Sequence, residues 1–163
     1  MQHRPIAIRI SGFSLVELLV SAAIVGLLAT VAMPVMELTV KREKEHDLRV
    51  ALREIRTAID AYKAAASTGK IALLPGQSGY PPTLSELING VADATKPDGP
   101  KLVFLRRLPR DPFHPDVAAA AIDTWGKRSF DSPPDAPRAG DDVFDVYSQS
   151  TRMGLNGVPY NAW

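Results

Sequence analysis

The sequence predicts an α+β fold in which one long N-terminal α-helix, an apolar half followed by an amphipathic half, packs on a small antiparallel β-sheet. Three observations carry that expectation. Phe13 to Met36 reads FSLVELLVSAAIVGLLATVAMPVM and holds a single charge, Glu17. No proline lies between Pro34 and Pro75 and no glycine between Gly26 and Gly69, whereas twelve of the 14 prolines follow residue 66. Inside that breaker-free window Leu48, Leu52, Ile55, Ile59, Tyr62 and Ala66 recur at 4-3-4-3-4 spacing, one apolar stripe on a 3.6-residue period.

Taken in order, residues 1–12 carry Arg4 and Arg9 and no acid, residues 13–36 carry only Glu17, and residues 37–163 carry 17 basic against 17 acidic side chains. A short basic head, an apolar stretch and a balanced body describe a targeting segment followed by an exported domain. The uncharged run Leu18–Met36 is 19 residues long, close to the ~20 that span a hydrocarbon core as a helix. It meets the amphipathic stretch with no breaker after Pro34, so one helix from Phe13 to Ala66 is expected, roughly 80 Å long at 1.5 Å per residue. No compact domain of this size requires such a rod, and its first half must serve a membrane or other subunits. Lys41, Arg42, Glu43, Lys44, Glu45, Arg49, Arg53, Glu54, Arg56, Asp60 and Lys63 are expected to form its solvated faces.

Ser67-Thr68-Gly69 is a helix stop. Thr83 and Glu86 stand at capping-box spacing and predict a short helix through Asn89. Lys101–Leu108 (KLVFLRRL), Trp125–Phe130 (WGKRSF) and Asp142–Ser148 (DVFDVYS) are the strand candidates, the last with only partial alternation. Pro133, Pro134, Pro137 and Gly140 separate the last two, and the sheet they build is expected to fold onto the apolar stripe of the helix.

Composition excludes several classes. The 163 residues carry a net charge of +1, with no excess of basic charge for nucleic-acid binding. Absence of cysteine excludes a disulfide scaffold, a thiol nucleophile and cysteine-ligated zinc. His3, His46 and His114 show no metal-ligand spacing and read as solvated. No nucleophile elbow, phosphate loop or dinucleotide fingerprint is present. Asp111 precedes Pro112 and Asp116 follows Pro115, which makes both turn residues and not a catalytic carboxylate pair. Nothing in the chain suggests an enzyme.

Arg9-Ile10-Ser11-Gly12-Phe13-Ser14-Leu15-Val16-Glu17-Leu18 resembles a type IV prepilin signal: a basic leader ending in Gly, then Phe, with Glu as the fifth residue beyond the cut and an apolar helix after it. Glycine at the cut also lets a protease approach the backbone without a Cβ in the way. Further along, Gly79-Tyr80-Pro81-Pro82-Thr83-Leu84-Ser85-Glu86-Leu87 is similar to the segment after the helix of type II secretion major pseudopilins. Leu105-Arg106-Arg107-Leu108-Pro109-Arg110-Asp111-Pro112-Phe113 is similar to their Leu-Pro-Lys-Asp-Pro-Trp segment, and Asp145-Val146-Tyr147-Ser148 to their final strand. These marks extend the resemblance over nearly the whole chain.

The resemblance implies a type IV pilin-like fold with three parts: a leader, residues 1–12; a transmembrane and assembly half of the helix, residues 13–36; and a periplasmic globular domain, residues 37–163. It implies cleavage between Gly12 and Phe13 by a prepilin peptidase, then N-methylation of Phe13. The subunit would sit as a single-pass protein in the inner membrane and polymerise with copies of itself and with other pseudopilins into a periplasmic pseudopilus, driven by an inner-membrane secretion platform. An ionised carboxylate in an apolar helix is costly and marks function. The resemblance gives Glu17 the α-amino group of Phe13 on a neighbouring subunit, a pairing that sets register. The alternative is a carboxylate near the headgroups or protonated in lipid. Gly26 and Pro34 match positions where pilin helices carry breakers, and either loosen the helix during packing or leave a mild kink.

One departure concerns calcium. In that family the loop after the last strand usually supplies carboxylates to a structural calcium ion, but Gln149–Trp163 (QSTRMGLNGVPYNAW) contains no acid. Calcium prefers several hard oxygens including carboxylates. Asp141, Asp142, Asp145 and Asn156 are the remaining donors, and no cofactor is expected. Instead a Leu155-Asn156-Gly157 turn with Tyr160 and Trp163 is expected to pin this segment by aromatic packing. A type IV pilin or minor priming subunit remains the nearest alternative function. A different class is a secreted soluble domain whose ordinary signal peptide is cut near Ala32, and a third an unprocessed signal-anchored protein.

Overall fold

The computed structural model describes residues 12–163, with the backbone alone for residues 30–35. The rest of the expected leader, with His3, Arg4 and Arg9, lies outside the described residues. Helix α1 spans Leu15–Ser67, 53 residues, matching the window from which glycine and proline are nearly absent. It ends where expected. Gly69 takes φ 74°, and the N–H groups of Gly69 and Lys70 donate to the Ala66 and Ala65 carbonyls at 3.1 and 3.0 Å. This reversal satisfies carbonyls left orphaned at the helix end and needs a residue tolerant of positive φ.

The chain divides into two compact units, residues 1–41 and 42–163. In the first, the described side chains from Phe13 to Ala29 and from Met36 to Val40 are exposed, Leu18, Leu19, Ile24, Leu27 and Leu28 among them.

In the second unit all six stripe residues of α1, Leu48 to Ala66, are buried, with Ala51 and Ala58 beside them. A long helix therefore packs on a small antiparallel sheet, the expected α+β arrangement. Strand β1 (Trp125–Arg128) pairs with β2 (Asp145–Ser148) in the register Trp125↔Ser148, Gly126↔Tyr147, Lys127↔Val146, Arg128↔Asp145. Both strands are shorter than expected. The Ser129 N–H turns away to the Arg138 carbonyl at 2.9 Å and the Phe130 N–H to Asp142 Oδ1 at 2.9 Å, so pairing stops where the connecting loop binds itself. At Gly126 a Cβ would lie 2.3 Å from the Tyr147 ring, which lies across the facing glycine.

Two further expectations are corrected. Helix α2 forms at Leu84–Asn89 with buried Leu84 and Leu87, and Thr83 is its extended N-cap, but no side-chain cap bond exists. The Glu86 N–H donates to the Thr83 backbone carbonyl instead, at 3.2 Å, so there is no capping box. Lys101–Leu108 is not a strand: it makes one isolated bridge, Val91↔Leu102. Beyond Val103, the N–H groups of Phe104 and Leu105 both donate to the Leu87 carbonyl in α2 (3.1 and 2.9 Å). Leu105 and Leu108 are buried three apart with Arg106 and Arg107 exposed between them, a turn's burial pattern and not a strand's alternation.

Trp125, Val143, Val146, Leu84, Leu87, Phe113 and Tyr160 complete the core around the helix stripe.

Candidate functional site

The residues singled out for processing and assembly lie together at the start of the first unit. Gly12 and Phe13 are exposed and precede α1, and Phe13 is 73 % exposed. The helix is entered through the Leu18 N–H donating to the Ser14 carbonyl at 3.1 Å. Glu17 falls in the first turn, where its negative charge faces the positive end of the helix dipole. Its side chain is exposed and has no hydrogen-bond or ion-pair partner among the described residues. Only its backbone carbonyl is engaged, by Ser21 Oγ at 2.7 Å. At Gly26 an added Cβ would meet nothing within 4 Å. The α1 assignment runs unbroken through positions 26 and 34. Among the described residues no helix is long and apolar enough to cross a membrane; the described side chains of the apolar run stop at Ala29 and resume at Met36.

A second constellation, in residues 42–163, escaped the sequence reading. Glu45 lies in the stretch expected to be solvated, yet it is 2 % exposed. Its Oε1 accepts the Leu155 N–H at 2.7 Å and the Tyr160 hydroxyl at 2.9 Å, and Oε2 faces Arg49 Nη2 at 3.5 Å. The signal was present: one step back from Leu48, the 4-3 stripe lands on residue 45. Arg56, also assigned to a solvated face, is partly buried. Its Nε donates to Asp145 Oδ1 at 2.8 Å, and its Nη2 to the carbonyls of Val146 and Trp163 at 3.2 and 3.0 Å. No periodicity marks Arg56 out, because its partners lie at least 89 positions away.

The C-terminal segment is pinned by aromatic packing, as expected. Tyr160 stacks on Phe113 with centroids 3.9 Å apart, Trp163 meets Tyr160 edge-on at 5.1 Å, and Arg49 lies 4.5 Å over the Trp163 ring. The expected turn closes through the Gly157 N–H to the Gly154 carbonyl at 3.1 Å. Burial first, and then the Glu45 hydrogen bond, push the Tyr160 phenol up to about 12.

Asp111 is a turn residue, its Oδ1 accepting the Phe113 N–H at 2.8 Å, and it is also a strap: at 1 % exposure its Oδ2 takes the Ser148 hydroxyl at 2.6 Å. The three segments quoted for the pseudopilin resemblance thus converge. The Val143 N–H, just before β2, donates to the Pro81 carbonyl at 2.8 Å, and Asp111 holds the end of β2.

Of the carboxylates named as calcium donors, Asp141 is exposed and without a partner among the described residues, whereas Asp142 and Asp145 are already engaged. Asp142 takes the Ser78 hydroxyl and, at 2.9 Å, the Phe130 N–H. Asp145 takes Arg56 and the Val146 N–H and faces Arg128 Nη2 at 3.7 Å. Asn156 Oδ1 accepts the Val158 N–H at 3.1 Å. Among the described residues no group of three or more His, Asp or Glu side chains is placed to hold a metal ion. His46 is exposed, and His114 Nδ1 lies 3.2 Å from the Asp116 carbonyl.

Residues 9–33 match the family model of the prokaryotic N-terminal methylation motif. No curated protein and no solved structure matches the chain. The motif supports a type IV pilin-like or pseudopilin protein, a structural and generally non-enzymatic kind. It implies processing by a prepilin peptidase and pilin-like assembly, and it points to membrane anchoring through the N-terminal helix.

Proposed function

We propose that the chain is a structural pseudopilin subunit of a type II secretion system. On this reading it is cut between Gly12 and Phe13, methylated on the new Phe13 amine, and held in the inner membrane by residues 13–36. Residues 37–163 then lie in the periplasm, and assembly builds the pseudopilus that drives export. The observation that carries the reading is the methylation motif over residues 9–33, with Glu17 five residues beyond the cut in the same apolar segment.

The mechanism is mechanical. Moving an apolar helix from lipid into a fibre core changes apolar burial little, so packing and polar pairing decide the outcome. The unpartnered carboxylate of Glu17 supports its role as that polar element. Paired with the Phe13 amine of a neighbour it is neutralised, and any other register leaves a charge unpaired in an apolar surround. Gly26 and Pro34 supply the local freedom with which α1 repacks. The segments around Pro81, Asp111 and Asp145 favour the type II pseudopilin over a true pilin.

The donor set does not suit calcium. Asp142 and Asp145 are held by protein donors, residues 149–163 bring no carboxylate, and Glu45, Phe113 and Arg56 already secure the C-terminal segment. On this reading closure of the segment requires no metal, although Asp141 remains without a protein partner among the described residues.

N-terminal sequencing and mass spectrometry of membrane-extracted protein test the reading. A mature chain beginning at methyl-Phe13 is expected, and a start near Met33 would identify an ordinary secreted domain instead. Glu17→Ala should leave cleavage intact and lower fibre yield at least tenfold; wild-type yield sinks the register role.

A further inference from the structure

In the second unit α1 and the C-terminal segment enclose a groove of about 560 Å³ whose lining includes Arg49, Leu52, Arg53, Arg56, Asn156 and Trp163. The three arginines stand at i, i+4 and i+7 and so share one helix face. Arg49 is tied to Glu45 and stacked over Trp163, and Arg56 is tied to Asp145. Arg53, between them, is exposed and has no partner among the described residues. Thr57, Val158, Ala162 and one carboxylate, Asp60, also line the groove, which thus combines apolar surface with one guanidinium free to bind.

The complementary surface is the loop joining β1 to β2. Residues 131–142 carry Asp131, Asp135, Asp141 and Asp142 against a single cation, Arg138. Asp142 is spent on Ser78 and Phe130, while Asp131, Asp135 and Asp141 are exposed with no partner among the described residues. The loop is held in shape by Pro133, Pro134 and Pro137 and by its own bonds. The Arg138 N–H donates to Ser132 Oγ at 2.8 Å, and the Ser129 N–H to the Arg138 carbonyl at 2.9 Å. A preformed loop of this kind has little conformational freedom left to lose on binding.

We propose that the arginine groove receives the 131–142 loop of a second copy of this chain. Arg53 pairs with the loop's free aspartates, and Val158 and Trp163, which also line the groove, supply the apolar contact. Groove and loop are different surfaces of one molecule, so repeated in one direction, as the fibre reading requires, the contact runs head-to-tail and adds copies in series, whereas a reciprocal pairing would close a dimer. The proposal rests on the fibre reading above and adds to it a contact outside the membrane half, one built on charge and hence weakened by salt.

The test uses the full-length chain, which has no cysteine of its own, expressed with its assembly machinery. Thr57→Cys in the groove and Ala136→Cys in the loop are combined and treated with a short bifunctional thiol reagent. A ladder of dimers, trimers and higher species is expected in sedimented fibres of the double variant, with nothing above a dimer from either single variant. Arg53→Glu should lower fibre yield at least tenfold while leaving the melting temperature of the extracted protein unchanged. Fibres that sediment normally without a ladder, or a product whose mass shows a different protein attached, overturn the docking and leave the fibre reading standing. Wild-type fibre yield from Arg53→Glu does the same. No fibres from the cysteine-free chain overturns the fibre reading, and this contact with it.

Discussion

Glu45 keeps a carboxylate at 2 % exposure because donors from two directions converge on it, the Leu155 N–H and Tyr160 hydroxyl on one oxygen and Arg49 on the other. Truncation would leave those donors without a partner, at a cost of about 3 kcal/mol. Glu45→Ala should therefore lower the urea midpoint far more than Glu45→Gln, which keeps an acceptor; equal midpoints for the two would refute this account. The same contact sets an alkaline limb. The folded chain holds the Tyr160 phenol at about 12 against an ordinary 10.0, so folding favours the neutral form. Its contribution is complete below about pH 10 and is lost as pH climbs towards 12. Tyr62, raised by burial and by Glu86, acts in the same direction. Tyr160→Phe should cost about 1 kcal/mol at neutral pH through the lost hydrogen bond and flatten part of that alkaline decline in urea melts. Residue by residue, apolar burial was easier to read than polar burial. A leucine on a stripe declares its environment by its own chemistry, whereas Glu45 and Arg56 are buried only because partners some 90 to 115 positions away come to meet them.

At the scale of elements, α1 was legible because two independent patterns agree on it: the absence of breakers and the 4-3 stripe. Its stop was legible because a glycine at positive φ is a local requirement. Lys101–Leu108 was not, since its β-forming residues are captured by the Leu87 carbonyl in α2, a tertiary event that no local propensity records. The strands were placed correctly and overextended for a related reason: the loop's own hydrogen bonds outcompete further pairing. Two substitutions test this layer. Ile55 is fully buried in the stripe, and Ile55→Ala should cost about 2–5 kcal/mol, while the exposed neighbour Glu54→Ala should shift stability by under about 0.5 kcal/mol. Gly126→Ala must displace the Tyr147 ring that lies 2.3 Å from the new methyl, and should destabilise by about 1–3 kcal/mol. The double variant Gly126→Ala/Tyr147→Ser should recover part of that loss in the same thermal melt, and no recovery would show that the ring is not the obstacle.

For the whole molecule, the division into residues 1–41 and 42–163 separates two kinds of surface. The described apolar side chains of the first unit are exposed, whereas the second unit gathers Leu48, Ile55, Leu84, Trp125, Val146 and Tyr160 into a buried core. If protein donors alone close the second unit, as proposed above, millimolar calcium or a chelator should leave the melting temperature of the extracted chain unchanged; a rise of several degrees with calcium would contradict this. The contacts from Glu45 to Leu155 and Tyr160 join positions 110 and 115 apart. Pairings so distant in sequence are among the slowest to form. A polypeptide delivered N-terminus first cannot make them until its final stretch has emerged. The clasp thus orders closure in time: helix α1 is synthesised early, but its stripe at Glu45 is sealed only once residues 155–160 have emerged.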